Sequence, residues 1–264
     1  MSIVVSKAPR SADGVYIFST SEMPWSEAGK KGLYQKNVRV DQEKGLFLGL
    51  LAFDPFMRTG LHQHQDVAIS FFLEGGLTDY QGTAHAGQAG INLAGATHDA
   101  IADNRCVIAS RLEGGVIYLP DDEPLHSLHA GARKAEIVHP SPEIMPDINI
   151  TVDDIPGMAT SIPHVRRQMI FDYNQTPSDY RFNQLQLLPG AAVPVHRIGA
   201  LVEWYVRGGA ITINGQTARA GDFVILEPGC EVDLRADYGC LLLAWSEGPM
   251  AWADGVARPD LYGF

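Results

Sequence analysis

Cysteine is scarce in this chain: 264 residues carry only Cys106, Cys230 and Cys240, and no two stand as Cys-x-x-Cys. That excludes a disulfide framework and a thiolate zinc site, and predicts reduced, buried thiols. Positive charge is scarce too. Twenty Lys and Arg against 31 Asp and Glu give a net charge of −11, and Lys30-Lys31 is the densest basic spot. A chain so charged repels phosphate backbones, so nucleic acid is not expected as a partner. No apolar run approaches the roughly 18–20 residues of a membrane span, and residues 1–10 lack an apolar signal-peptide core. The expectation is a cytoplasmic protein without a membrane partner. Also missing are a Gly-x-Ser-x-Gly elbow, a Walker loop, a dinucleotide fingerprint and any convincing amphipathic helix. Hydrolase and nucleotide-enzyme readings lose their support with them.

What is present is apolar and punctuated. Apolar residues make up 45%, inside the globular range, and 27 Gly with 16 Pro are spread as turn signals. The chain also repeats itself. Thr83-Ala84-His85-Ala86-Gly87 returns 134 positions later as Thr217-Ala218-Arg219-Ala220-Gly221. The same offset carries Gly95 onto Gly229, Cys106 onto Cys240 and Glu113 onto Glu247 without a gap. Two copies of one module follow, assigned to residues 1–135 and 150–264 and joined by Pro-marked chain around His139-Pro140-Ser141-Pro142. Short β-branched and aromatic runs read as strands: 46–53, 68–73 and 106–112 in the first copy; 182–188, 202–206, 210–213, 223–226 and 240–245 in the second. Asn214-Gly215 and Pro228-Gly229 supply turns between them. The fold class is all-β, and a jelly-roll barrel per copy fits many short antiparallel strands.

Chemistry gathers in the first copy. Residues i and i+2 of a strand share a face, so His62 and His64 of His62-Gln63-His64 project together, which is half a metal site. His98 follows the turn Leu93-Ala94-Gly95-Ala96 and offers a third imidazole.

At these residues the sequence resembles the cupin superfamily, whose first block is His-x-His with a Glu and a Gly, and whose second is Gly, five residues, Pro-x-Gly, two residues and His. Gly87, Leu93-Ala94-Gly95 and His98 match the second block, with Leu replacing its Pro; His62, His64 and Gly75 match the first. The glutamate is missing, since its two permitted spacings fall on Ala68 and Ile69. The run Leu73-Glu74-Gly75-Gly76-Leu77-Thr78-Asp79 is similar to the barrel of ChrR-type anti-sigma factors and its dioxygenase relatives, including acetylacetone- and dihydroxyacetophenone-type enzymes.

The resemblance implies two tandem cupin barrels, double-stranded β-helices of jelly-roll type, the first holding one divalent metal on His62, His64 and His98. Iron is the expected ion, with nickel, manganese and zinc also compatible with three imidazoles. Asp79 or His85 would be a fourth ligand or stand behind the ligands. In the second copy the register keeps His196, turns the other histidines into Ile198 and Val232, and puts Glu203 in the glutamate's place. That site is expected to be degenerate, with His196 and Glu203 as a buried hydrogen-bonded pair. His126 and His129 read as solvated loop. The implied function is an Fe(II) dioxygenase cleaving a C–C bond in a small diketone or hydroxyketone, with apolar Ile69, Phe71 and Leu73 on the ligand side. The alternatives are a non-enzymatic metal or small-ligand sensor like the ChrR barrel, and a metal-dependent lyase or isomerase. No His-x-x-x-Cys-x-x-Cys zinc module is present, so a sigma factor is not expected as partner. A small-molecule ligand and a homodimer are.

Overall fold

The computed structural model describes residues 10–119, 147–175 and 178–264. Among these the chain is built from short strands, and its helical turns are single 3-10 turns at Thr20–Glu22 and Val152–Asp154. No helix is long and apolar enough to cross a membrane. The apolar runs form strands where their pattern predicts, as Leu46–Phe53, Ala68–Glu74 and Cys106–Leu112. In the second copy two expected strands are one, Val202–Ile213. A register shift between Val206 and Gly208 lets its first half pair with Asp222–Leu226 and its second half with Gln216–Arg219. The second pairing turns on Asn214-Gly215, both at positive φ (48° and 78°), as a tight hairpin of that composition requires. All three cysteines are free and buried, and burial pushes their thiols to about 11 to 12.

The described residues fall into two compact units. In the first, a seven-stranded antiparallel sheet runs in the order Asp147–Thr151, Gln88–Asn92, Ala68–Glu74, Cys106–Leu112, Leu46–Phe53, Leu33–Asp41, Ser26–Glu27. A three-stranded sheet of Thr97–His98, His62–His64 and Val116–Tyr118, and the hairpin Gly76–Asp79 with Gly82–His85, complete it. In the second unit a single curled sheet of 12 strands closes around a continuous apolar core that includes Trp204, Leu234 and Tyr262.

The units exchange strands relative to the division at 1–135 and 150–264. Val15–Ser19 pairs with Asp222–Leu226 of the second unit, while Asp147–Thr151 pairs with Gln88–Asn92 of the first. Each covers a strand edge that would otherwise present unpaired N–H and C=O groups. The linker around His139 to Pro142 lies outside the described residues.

The 134-residue register holds within both units down to single hydrogen bonds. Gly87 N–H donates to Phe72 O as Gly221 N–H donates to Val206 O, and Gly95 N–H to His64 O as Gly229 N–H to Ile198 O. Gly75 (φ +66°) and Gly209 (φ +75°) occupy the same crowded position: a Cβ would stand 2.1 Å from the Arg105 carbonyl oxygen in one and 2.2 Å from that of Gly239 in the other. Both the left-handed backbone and the close approach demand glycine. Gly75→Ala should therefore cost about 2–4 kcal/mol in denaturant unfolding. Gly208→Ala, where nothing lies within 4 Å and φ is not positive, should cost under about 1 kcal/mol. Equal losses at the two positions would refute the steric account.

Candidate metal centre

Strand His62–His64 is buried along its whole length and forms the middle of its three-stranded sheet. Its pleat turns His62 and His64 to one side and Gln63 to the other, where Gln63 Nε2 donates to Thr97 Oγ1 at 3.2 Å. His98 stands directly across from His62 in the antiparallel register, and Tyr118 stands across on the other edge. The turn at Gly95, with φ of +89°, lets Gly95 N–H reach His64 O while His64 N–H reaches Ala96 O. That clamp fixes His64 against the turn that delivers His98.

The three imidazoles converge on their Nε2 atoms. His98 Nε2 lies 3.1 Å from His62 Nε2 and 3.2 Å from His64 Nε2. Behind two of them stand acceptors. His62 Nδ1 donates to Gly60 O at 2.8 Å, and Gly60 N–H is in turn held by Asp99 Oδ1 at 3.0 Å. His98 Nδ1 donates to Asp79 Oδ2 at 2.9 Å, while Asp79 Oδ1 accepts from Gln81 N–H at 2.9 Å. With their protons on Nδ1, His62 and His98 point lone pairs at one another across a hydrogen-bond distance. A cation between those nitrogens removes the repulsion, and a divalent ion about 2.1 Å from each of several imidazoles sets neighbouring nitrogens about 3 Å apart. The donor set therefore fits a divalent metal. Among the described residues these three histidines are a group able to hold one.

The structure assigns different places to the other candidates. Asp79 is the hydrogen-bond partner of His98 rather than a further ligand in the converging group. Burial would raise its carboxyl, but the hydrogen bond from His98 and the N–H groups of Gln81 and Gly82 outweigh it and hold it below the usual range. His85 is exposed on the hairpin opposite Gly76 and stays out of the cluster. His126 and His129 lie outside the described residues.

The metal-side face of strand Ala68–Glu74 is the opposite of the one expected. Ala68, Ser70 and Phe72 line the cavity of about 190 Å³ that contains the three histidines, whereas Ile69 and Phe71 are buried on the other face and Leu73 shares their phase. The missing carboxylate's place is thus Ala68. Sequence gave two spacings for it, and only the pleat's phase decides between them.

In the second unit the corresponding site is filled. Ile198 and Val232, which replace two ligands, are 1% and 0% exposed and belong to the apolar core. His196 is fully buried, with Nδ1 bonded to Pro194 O at 3.1 Å, its ring 5.7 Å from that of Trp252, and Nε2 without a hydrogen-bond partner. The expected His196–Glu203 hydrogen bond is not formed. Glu203 is likewise fully buried, but it repeats Ile69 at the 134-residue offset, so Val202 and not Glu203 holds the place of Ala68.

This architecture is that of two tandem cupin barrels. Residues 14–113 match the model of the ChrR cupin-like domain family. No curated protein matches the chain in sequence. Among solved structures, a protein of Nostoc punctiforme provisionally named a dioxygenase is similar at 10% identity, with a TM-score of 0.69 over 93% of this chain and 85% of that one. Oxalate decarboxylase of Bacillus subtilis is similar at 14% identity, with a TM-score of 0.60 over 90% of this chain and 78% of that one. A further structure of that enzyme, concerned with its Mn(II) centers, is similar at 13% identity, with a TM-score of 0.60 over 90% and 79%. At such identities the likeness is one of fold.

Burial first, and then the charge of a protonated His98, lower the His62 imidazole from 6.5 to about 4; burial likewise holds His64 well below its ordinary value. Imidazoles must be neutral to ligate, so at His62 and His64 protons compete with a metal only when pH nears these lowered values. In the metal-free protein the proton uptake of His62, followed by the NMR shifts of its ring, should centre near 4, and a midpoint near 6.5 would contradict the burial. The metal-free fold should lose stability as pH falls from 6.5 to about 4, because the unfolded chain takes up the proton first. Asp79→Ala should weaken metal binding about 10–100-fold, and unchanged affinity would remove Asp79 from the site.

Proposed function

We propose that this chain is a metal-dependent oxygenase of the cupin fold that cleaves a C–C bond in a small diketone or hydroxyketone, with both atoms of dioxygen entering the products. The observation that carries it is the convergence of three imidazole nitrogens, with no carboxylate among them, on a small and largely apolar cavity. Support comes also from the fold shared with the Nostoc protein provisionally named a dioxygenase.

His62, His64 and His98 would hold the metal, and Asp79 would fix the proton of His98 on Nδ1. An iron(II) ion there would supply Lewis acidity toward a ketone enolate and electrons toward oxygen. Three neutral ligands leave the ion's charge uncompensated in its first coordination sphere, and Ala68 leaves open the place of a carboxylate. An enolate would supply the missing negative charge. Phe53, Phe72 and Ile108 line the cavity and exclude water from the substrate's body. At about 190 Å³ it lies below the roughly 300–1,000 Å³ of pockets for drug-sized ligands, which favours a compact substrate.

Anaerobically prepared protein should carry one equivalent of metal, and His98→Ala should abolish it. With iron(II) and acetylacetone a new visible charge-transfer band should appear, and admitted oxygen should be consumed as the band bleaches. Two equivalents of metal would refute the filled second site. Loaded protein that binds metal yet consumes no oxygen with any small diketone or hydroxyketone would favour the ChrR-like sensor reading, which the match over residues 14–113 supports. Ala68→Glu should retain metal but weaken ketone binding about tenfold or more, since a carboxylate there neutralises the ion beforehand. Ketone affinity left intact in that variant would sink the charge argument.

A further inference from the structure

On the cavity wall supplied by the seven-stranded sheet two serines meet. Ser70 pairs in register with Gly90 on one side and Ser110 on the other, and the two serine hydroxyls are hydrogen-bonded at 2.8 Å. Ser110 is 1% exposed. A bond between two hydroxyls uses one of their two protons, so the pair retains a donor and free lone pairs for a ligand. Its neighbours along the wall, Ala68, Phe72 and Ile108, offer no polar side-chain atom, and Gly90 separates it from Asn149, which also lines the cavity. One pleat repeat, about 6.6 Å, separates Ser70 from Ala68, the position beside the metal ligands where the carboxylate is missing.

Across the sheet the serines' row runs Ser110, Ser70, Gly90, Asn149, and the next row on that face runs Leu112, Ala68, Asn92, Asp147. Asp147, 5% exposed, therefore stands level with Ala68 rather than with the serines, and its carboxyl oxygens accept from Asn92 Nδ2 at 2.5 Å, from the Tyr80 hydroxyl and from Gln81 Nε2.

We infer that Ser70 and Ser110 are specificity-determining residues, which select substrates bearing a neutral oxygen function, a hydroxyl or carbonyl, one pleat repeat from the chelating oxygens. This rests on the ketone reading of the site. A substrate lacking the distal oxygen leaves the serine donor without its ligand acceptor, which is the kind of mismatch that discriminates strongly in a dry pocket.

The test is calorimetric binding under anaerobic conditions to the iron(II) protein of two probes: acetylacetone, and acetylacetone extended at one end by a hydroxymethyl group. Wild type should bind the hydroxymethyl probe about tenfold or more tighter than acetylacetone. The double variant Ser70→Ala with Ser110→Ala should bring that ratio within about twofold, with metal content retained. Ser110→Cys, which nearly keeps the volume, should lower the ratio in the same direction. If acetylacetone binds but the hydroxymethyl preference is absent, or survives in the double variant, the serine assignment is overturned while the ketone reading stands. If neither probe binds the loaded wild type, the ketone reading fails and takes this inference with it.

Discussion

Two protons set the chemistry of the first barrel. His62 commits one to the Gly60 carbonyl and His98 commits the other to Asp79, which leaves their Nε2 lone pairs opposed at 3.1 Å. Nothing about isolated imidazoles favours that arrangement. It persists because the strand His62–His64 is held in register on both edges, because Gly95 returns the chain to His64, and because Asp99 anchors the loop that carries Gly60. The barrel thus spends folding energy to oppose like dipoles at one point, and a cation there converts that cost into binding free energy.

The second barrel shows the same frame without that conflict. Its hydrogen bonds repeat those of the first at the same offset, yet Ile198 and Val232 contribute burial, about 1.5–3 kcal/mol for each side chain, where the first barrel places His64 and His98. One module has been resolved in two ways. A cavity with three imidazoles at its wall makes room for chemistry, and a filled core gives stability.

Much of this was legible in the residues. The gap-free repeat shows two copies of one module, and the period-2 spacing, which depends only on local geometry, brings His62 and His64 to one face; the barrels and the place of His98 came from the resemblance to the cupin blocks. Three things were not legible, each because it depends on a distant partner. Whether Ala68 or Ile69 faces the metal is a question of pleat phase, set by pairing with Gln88–Asn92 and Cys106–Leu112. Asp79 earns its role only when the hairpin folds it onto His98, 19 positions away. Asp147 reaches the cavity from beyond the linker, and no local pattern announces that Asp147–Thr151 belongs to the first unit. The His196–Glu203 pair failed for the first of these reasons: Glu203 repeats the phase of Ile69, while Val202 and Trp204, on the other face, join the core around Ile198 and Val232.

The exchanged strand Val15–Ser19 bears on how the chain is made. Its partner strand, Asp222–Leu226, leaves the ribosome far later; the Ser19–Asp222 contact spans 203 residues. At about 5–20 residues per second, that delay is on the order of 10–40 s. Throughout it the apolar side chains of Val15, Ile17 and Phe18 wait without their sheet. The first barrel can close while the nascent chain is still growing. The second cannot, and the two barrels therefore mature in the reverse of the order in which their first strands emerge.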